Sequence, residues 1–419
     1  MPSPSSTGDG CVQLLTSRSA RAAIRREILV SEGEAFRAEV RRWLEANCPP
    51  SMRTPITTQE EMVWSGSHVS FRNDDQRLWF ERMRDRGWFV PGWPRAYGGG
   101  GLGPDEQRVL EQELRALGCR TPQFSLGIWM LGPVLLEFGT EEQKLEHLPP
   151  MARGEVRWCQ GFSEPNAGSD LANLRTAAVR DGDDYVVTGQ KIWTSHGDKA
   201  DRMYALVRTD PQAKKQQGIS FILLDMKAPG VTVRPIVLIS GRSEFCEVFF
   251  DGVRVPARNV IGGVDRGWDV AKRLLEHERA AMSTFAEGGA PSLDALTVAR
   301  PYLAGAGAVW RDRLAAALMD QHAFALSVRR LHESTRARED VKGLGAIMKL
   351  VQTEQESAKY ELLQQIMGQR GLSMEDEGVG ADERAVCRLW LFTKTYTIAG
   401  GASEIQLNII ARRVLGLPA

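Results

Sequence analysis

Two short segments in the middle of the chain carry residue types that could hold a flat cofactor with a polar edge. In residues 161–170, small residues and an Asn-Ala-Gly turn would let backbone N–H groups approach a ligand closely. In residues 189–197, a strand would place Trp193 and Ser195 on the same face. An indole face could stack on a flat ring while the hydroxyl bonds its edge. Taken singly, composition favours a surface turn for the first segment and a core tryptophan for the second.

Hydrophobic periodicity divides the chain around these segments into three zones. Residues 31 to about 151 carry apolar side chains at helical spacing, as in residues 34–46. From about 156 to 261, short runs rich in Val, Ile, Phe and Tyr alternate with turns such as Asp181-Gly182. That spacing predicts an antiparallel β domain rather than βαβ units. From Gly267 onward, long amphipathic segments predict a helical bundle.

Length, charge and cysteine usage exclude several classes of protein. The 419 residues suit two or three packed domains, and 53 basic side chains balance 53 acidic ones. This balance gives no general attraction to nucleic acid or to an anionic membrane. The six cysteines are scattered without a CxxC pair, and the six histidines lack metal-ligand spacing. We therefore expect a cytoplasmic protein with reduced thiols, no metal site and no nucleic-acid partner.

Three further segments give weak evidence for a membrane span, a phosphate loop and a transit peptide. The longest uncharged stretch, residues 121–136, is short for a membrane span and predicts a buried helix pair around a turn. The glycine run 98–101 lacks a preceding strand and a Lys-Ser/Thr ending, which favours a flexible connection over a phosphate loop. Residues 1–30 combine a Ser/Pro/Gly-rich start with four arginines. A flexible N-terminal extension is favoured there over an organelle transit peptide.

Taken together, five ordered motifs resemble the acyl-CoA dehydrogenase family. They are residues 131–144, which are similar to the helical segment before the family's flavin motif, then 161–197, 218–221, 248–256 and the C-terminal signature at 398–411. The resemblance implies an α+β multidomain fold. Its expected parts are the flexible extension (1–30), an N-terminal helical domain (31–155), a middle antiparallel β domain with flavin and CoA motifs (156–262) and a C-terminal four-helix bundle (263–419).

The resemblance also implies FAD as the cofactor and names residues that would contact it. Five would line the isoalloxazine: Gln160, Phe162, Ser163, Trp193 and Ser195. Two would contact the flavin or the CoA arm of the substrate: Gly168 and Ser169. Four match positions that often touch a neighbouring subunit's cofactor: Gln365, Gly368, Ala402 and Glu404. The family's Arg-x-x-Phe-Gly motif, whose arginine reaches the FAD diphosphate, has no clear counterpart between Arg300 and Arg313.

The implied reaction is α,β-desaturation of an acyl-CoA thioester, by α-proton abstraction and β-hydride transfer to flavin N5. The commonest family base lies in the C-terminal signature, where this chain has Gly400, which cannot accept a proton. A second family solution is a glutamate before an arginine on the first bundle helix, and Glu278-Arg279 fits it. Glu278 is therefore the candidate base, with Arg279 a candidate substrate contact. Gly400 would give its N–H to the thioester oxygen. The competing interpretation is an exposed carboxylate paired with arginine.

The expected partners follow from the same resemblance. They are an acyl-CoA substrate, an electron-transfer flavoprotein as electron acceptor, and copies of the chain itself in a homodimer or homotetramer. Two alternatives stay open. One is a non-catalytic partner subunit of a heteromeric acyl-CoA dehydrogenase, since Gly400 replaces the usual base and the arginine motif is missing. The other is a flavin oxidase or monooxygenase on the same scaffold.

Overall fold

The secondary structure is taken from a computed structural model that describes residues 18–56, 58–284, 293–305, 307–336, 341, 343–375 and 378–418. The helices are α1 (Arg18–Asn47), α2 (Asp74–Asp85), α3 (Pro104–Ala116), a π-helix (Gly127–Leu131), α4 (Gly132–Phe138), α5 (Glu141–Ala152), α6 (Gly267–Thr284), α7 (Ala295–Leu303), α8 (Ala308–Arg336), α9 (Leu344–Met367), α10 (Ala381–Thr393) and α11 (Ser403–Arg413). The strands are β1 (Trp158–Gly161), β2 (Ala177–Asp181), β3 (Asp184–Ser195), β4 (Arg202–Arg208), β5 (Ile219–Asp225), β6 (Val231–Ile236), β7 (Phe245–Pro256) and β8 (Val260–Ile261).

The chain forms two compact units. The first contains residues up to Pro55 together with Phe71–Pro122, and the second contains Ile56–Ser70 and the chain from Gln123 onward. Helices α4 and α5 thus belong to the second unit, although the sequence analysis grouped them with the N-terminal domain. Helix α1 begins at Arg18, so the expected end of the extension at residue 30 falls inside a helix. The reason is local, because residues 18–32 contain neither Gly nor Pro and are rich in Ala, Arg and Glu.

The first unit is helical, as the apolar spacing predicted. The ring centroid of Trp43 on α1 lies 6.2 Å from that of Trp79 on α2 and 4.7 Å from that of Trp88. Glu113 on α3 is almost fully buried and accepts a hydrogen bond of 2.6 Å from Arg37 Nη1. Aromatic packing and this paired carboxylate join the helices of the unit.

The predicted β domain is confirmed in the second unit. Its eight strands form one sheet in the order β6-β7-β3-β2-β4-β5-β8, with β1 beside β4. The pairing is antiparallel except where β4 runs parallel to β1 and to β2. The Asp181-Gly182 turn closes the β2–β3 hairpin, and Gly182 takes a φ of +59° that favours glycine. The sheet's buried side chains include Val187, Met203, Val207 and Ile222, each with 0% exposure.

The predicted C-terminal helical bundle is also confirmed. Helix α9 is its central element and contacts α6, α7, α8, α10 and α11. Leu363 of α9 and Val386 of α10 are fully buried in the shared core. Helix α6 has a second role, because it packs on β5 and on the π-helix as well as on α9. It therefore carries bundle residues to the edge of the β domain.

The second unit contains two buried histidines, and we therefore expect it to lose stability in mild acid. Burial lowers the pKa of His147 to about 4, and burial together with Arg157 and Lys199 lowers that of His196 to about 3. Between these values and the ordinary pKa of about 6.5, the unfolded chain binds more protons than the folded one. The free energy of unfolding therefore has its full value above pH ~6.5. As the pH drops below this value, it falls by up to about 1.4 kcal/mol per pH unit for each histidine.

Urea unfolding at a series of pH values between ~7.5 and ~5 checks this expectation. The midpoint should fall with pH in the wild type and fall less in His147→Gln and His196→Gln. Variants that keep the full wild-type slope would contradict the assignment to these two side chains.

Candidate functional site

A cleft of 110 Å³ lies where β1, β3, the π-helix and α6 meet. It brings together six residues that the sequence analysis named separately: Gln160, Phe162, Ser163, Trp193, Ser195 and Glu278. The remaining wall is apolar and consists of Leu126, Met130 and Ile192. Residues 121–136 are not a helix pair around a turn, because the π-helix runs directly into α4. Such π turns widen a helix locally and are frequent at functional sites.

The β1 side of the cleft is held by hydrogen bonds from two neighbouring strands. Ile192 N–H on β3 donates to the carbonyl oxygen of Ser163 at 2.9 Å. The buried Tyr204 on β4 donates its hydroxyl to Gln160 Oε1 at 3.2 Å. Phe162 is buried with its ring edge-to-face against Tyr204. These contacts hold the backbone at Ser163 and the side chains of Gln160 and Phe162 in place.

Trp193 presents its indole to the cleft through a distortion of β3. The pairing of β3 with β7 shifts register between Lys191 and Thr194, and Trp193 takes a φ of +59°. A positive φ is rare for a bulky residue, and a bulge of this kind re-aims side chains. Trp193 and Ser195 belong to the one strand β3 and line the same cleft, and the register shift is a feature that the sequence did not predict. The indole is 55% exposed and meets only the edge of Phe245 among the aromatic contacts of the described residues.

A buried ion pair joins the two cofactor segments behind the cleft. Lys191 has 0% exposure, and its Nζ lies 2.8 Å from Glu164 Oε1 and 3.1 Å from the carbonyl oxygen of Phe162. The Glu164 carboxylate also accepts the N–H groups of Arg175 and Thr176 at 2.6 and 2.9 Å. Burial lowers the pKa of Lys191 to about 8, against the opposing effect of Glu164. This pair was not predicted from the sequence, although an acidic residue in the first motif and a lysine in the second were a usable signal.

Glu278 reaches the cleft from α6 and is half-buried. Burial raises the pKa of Tyr204, and the Glu278 carboxylate adds to that effect. Burial lowers the pKa of Lys349 on α9, and Glu354 and Glu278 oppose it. The carboxylate is therefore within electrostatic range of a β-domain hydroxyl and a bundle ammonium. The side chain of the neighbouring Arg279 lies outside the described residues.

The other predicted site residues do not line this cleft. Gly168 and Ser169 are exposed, and a second cleft of 400 Å³ lies just beyond them, with Arg175 and Lys215 in its wall. Lys215 Nζ is 3.2 Å from Asp170 Oδ2. Three bundle residues are exposed on α9, at its C-terminal end and on α11: Gln365, Gly368 and Glu404. Ala402 is the N-cap of α11.

Gly400 lies in the turn before α11, and this turn is held from inside the bundle. Gly400 and Gly401 take φ values of +65° and +99°. Lys349 Nζ donates to the carbonyl oxygens of Tyr396 and Gly401 at 3.1 and 2.7 Å. Gln406 Nε2 donates to the carbonyl oxygens of Gly400 and Gly401, both at 3.2 Å. The sequence analysis named neither donor, because nothing in their local sequence signals a contact with the turn.

Comparison with known proteins agrees with this layout. Three family models match in order along the chain: the acyl-CoA dehydrogenase N-terminal domain over residues 31–155, the middle domain over 159–253 and the C-terminal domain over 265–415. Acyl-CoA dehydrogenase IpdE1 of Mycobacterium tuberculosis is 36% identical over 389 residues, which cover 92% of this chain and 98% of that protein. The chain belongs to the acyl-CoA dehydrogenase family. The resemblance found in the sequence is thereby confirmed, and with it the three-part fold.

Other relatives give the same result with different coverage. Acyl-CoA dehydrogenase FadE34 of M. tuberculosis is 40% identical over 336 residues, 80% of this chain, but the match spans only 45% of FadE34. Among solved structures, the Tcur3481-Tcur3483 steroid ACAD is 29% identical with a TM-score of 0.71, covering 93% of this chain and 98% of that one. The ChsE4-ChsE5 complex of M. tuberculosis is 29% identical with a TM-score of 0.69 and the same coverage.

This acyl-CoA dehydrogenase is therefore an FAD-dependent oxidoreductase, and an acyl-CoA substrate fits its family. The side chains that line the cleft suit an isoalloxazine in their chemistry, because an exposed tryptophan and two serine hydroxyls match a flat ring with a polar edge. In the part of the chain that the structure describes, no cluster of three or more His, Cys, Asp or Glu could hold a metal ion. No described helix has the length and apolar character that crossing a membrane requires.

Proposed function

We propose that Glu278 is the base that removes the α-proton of an acyl-CoA thioester, so that the product is a trans-2-enoyl-CoA. The observation that carries this proposal is that Glu278, from the bundle, lines the same cleft as Trp193 and Ser195, from the β domain. FAD, when bound there, supplies the acceptor for the β-hydride. An α-proton beside a thioester is weakly acidic, so a carboxylate positioned next to it is needed.

The remaining predicted residues have positions that support their proposed roles. Gln160, Ser163 and Ser195 can bond the polar edge of the flavin, while Trp193 offers its indole face. Leu126, Met130 and Ile192 form an apolar wall that would exclude water from the reacting carbons. The N–H of Gly400 is proposed to hold the thioester oxygen, which polarises the carbonyl as the α-proton leaves.

We propose that the CoA arm leaves the cleft past Ser169 toward the second cleft. Arg175 and Lys215 in that wall supply positive charge for the phosphates of CoA. Exposure of Gln365, Gly368 and Glu404 on the bundle supports their predicted contact with the cofactor of a neighbouring subunit. We therefore propose an oligomer, either of identical chains or with a related second chain, as in the ChsE4-ChsE5 complex.

Anaerobic titration of the purified, flavin-containing protein with acyl-CoA thioesters tests the proposed reaction. One similar solved structure is a steroid ACAD, so the panel should contain steroid-derived thioesters beside linear and branched ones. At least one thioester is expected to bleach the oxidised flavin and to yield its 2-enoyl product. An electron-transfer flavoprotein should reoxidise the protein much faster than oxygen does.

Other outcomes would favour the alternative functions. Fast reoxidation by oxygen, with formation of hydrogen peroxide, would replace the dehydrogenase proposal with an oxidase. A chain that binds flavin only when it is co-expressed with a second family member, and that stays active there after loss of Glu278, would be a non-catalytic partner subunit.

A further inference from the structure

Lys349 is a buried cation that belongs to none of the roles assigned so far. It lies on α9 with 3% of its surface exposed. Its ammonium donates to the carbonyl oxygens of Tyr396 and Gly401, at 3.1 and 2.7 Å. These carbonyls lie on either side of Gly400 in the turn before α11. A buried ammonium is costly unless it is hydrogen-bonded, and these two carbonyl oxygens supply the bonds that keep it charged inside the bundle.

The Gly400 turn needs such a restraint. Gly400 and Gly401 are consecutive and both take positive φ values, a region that glycine enters and leaves easily. Gln406 Nε2 holds the carbonyl oxygens of these two residues, both at 3.2 Å. Lys349 adds a charge-assisted bond to Gly401 and is the donor that reaches back to Tyr396. Together the two side chains hold the carbonyl groups of Tyr396, Gly400 and Gly401, and so restrain the turn that contains Gly400.

Lys349 also lies on the helix that packs against α6, the helix of the candidate base. Glu278 of α6 and Glu354 of α9 both act electrostatically on Lys349, and burial opposes its charge. From the β domain, Glu278 acts on the hydroxyl of Tyr204. Among the described side chains of this part of α6, Arg273 pairs with Glu137 of α4 and with Glu276. His277 sits among them, and burial and Arg273 lower its pKa.

We infer that Lys349 is a positioning residue for the dehydrogenation, which holds the Gly400 turn by hydrogen bonds and, from a helix packed against α6, supplies positive charge near the Glu278 carboxylate. The inference rests on the proposed function, in which Gly400 holds the thioester oxygen and Glu278 is the base. A single ammonium then orders the group that polarises the carbonyl and favours the ionised form of the group that takes the proton.

Steady-state kinetics of Lys349→Met over a range of pH tests the inference. We expect kcat to fall roughly 10- to 100-fold with little change in KM, since the turn polarises the carbonyl mainly in the transition state. The acid limb of kcat/KM follows protonation of Glu278. It should move to higher pH by roughly half a unit or more, because a positive charge that favours the carboxylate is removed. Lys349→Arg keeps the charge and should keep the limb near its wild-type position.

A second buried lysine on the same helix gives a matched control. Lys359 is 4% exposed, and its Nζ lies 2.8 Å from Glu356 Oε1. Lys359→Met should lower the melting temperature but leave the pH profile unchanged. If Lys349→Met does not fold, Lys349→Gln removes the charge while keeping a donor, and the same acid-limb displacement is expected from it. A folded, flavin-loaded Lys349→Met or Lys349→Gln with wild-type kcat and pH profile would overturn the inference.

Failure of this inference is distinguishable from failure of the proposed function. If Glu278→Gln keeps its rate, the base assignment fails, and with it the expected displacement of the acid limb. If Glu278→Gln is inactive but the charge-removing Lys349 variants behave as wild type, the base assignment stands and only the role of Lys349 is lost. If the acid limb moves by the same amount in Lys359→Met, the effect is a general consequence of losing a buried lysine. That result also overturns the inference.

Discussion

Glu278→Gln is expected to retain flavin but to lose acyl-CoA-dependent bleaching, with a rate about 10²–10⁴-fold below wild type. Glutamine has nearly the same shape as glutamate but cannot accept the α-proton. Since Glu278 lines the cleft with Trp193 and Ser195, the substitution acts at the site itself. Stopped-flow reduction under anaerobic conditions, with a thioester that bleaches the wild type, measures the effect.

Glu276→Gln is the matched control for this variant. Glu276 lies two residues earlier on α6, is 54% exposed and pairs with Arg273 at 2.7 Å. An exposed pair of this kind contributes little to stability, so this variant should keep the wild-type rate. Bleaching by Glu278→Gln at more than a tenth of the wild-type rate would remove Glu278 as the base. If both variants lose the same fraction of the bleaching rate, the cause is the net charge of α6 rather than the Glu278 carboxylate.

Lys191→Met is expected to lower the free energy of unfolding by about 3–5 kcal/mol. The substitution leaves the carboxylate of Glu164, which is 8% exposed, buried without its cation. It also removes the donor to the Phe162 carbonyl, so the wall of the cleft should loosen. Denaturant unfolding and the flavin content after purification measure the two effects, and flavin should be partly lost.

Two further variants distinguish the effect of breaking the buried ion pair from the effect of losing a lysine in general. Lys215→Met removes an exposed pair with Asp170 and should change stability by no more than about 1 kcal/mol. Glu164→Gln combined with Lys191→Met removes both charges, so the double variant should be more stable than the sum of the single effects predicts. Strict additivity would mean that Glu164 and Lys191 are not coupled, against the 2.8 Å contact between them.

Local patterns determined a large part of this molecule. The order of helical unit, β domain and bundle follows from periodicity, because that signal arises between residues two to four positions apart. The Asp181-Gly182 hairpin was predictable from the conformational freedom of glycine. The five motifs were enough for the family and its cofactor. The start of helix α1 at Arg18 follows the same rule, because the residues before the predicted domain boundary at 31 have a helix-forming composition.

Tertiary structure decided how these parts meet. The Glu164–Lys191 pair spans 27 positions, and the bonds from Lys349 to the Gly400 turn span 47 and 52. No local pattern carries such contacts, since they depend on which strand and helix become neighbours. The same is true of Trp193, whose positive φ comes from the register shift between β3 and β7 rather than from its own preference. The sequence by itself determined which residues could do the chemistry. Only packing of α6 against the β domain and the π-helix decided which of them share one cleft, because that choice depends on contacts between residues far apart in the chain.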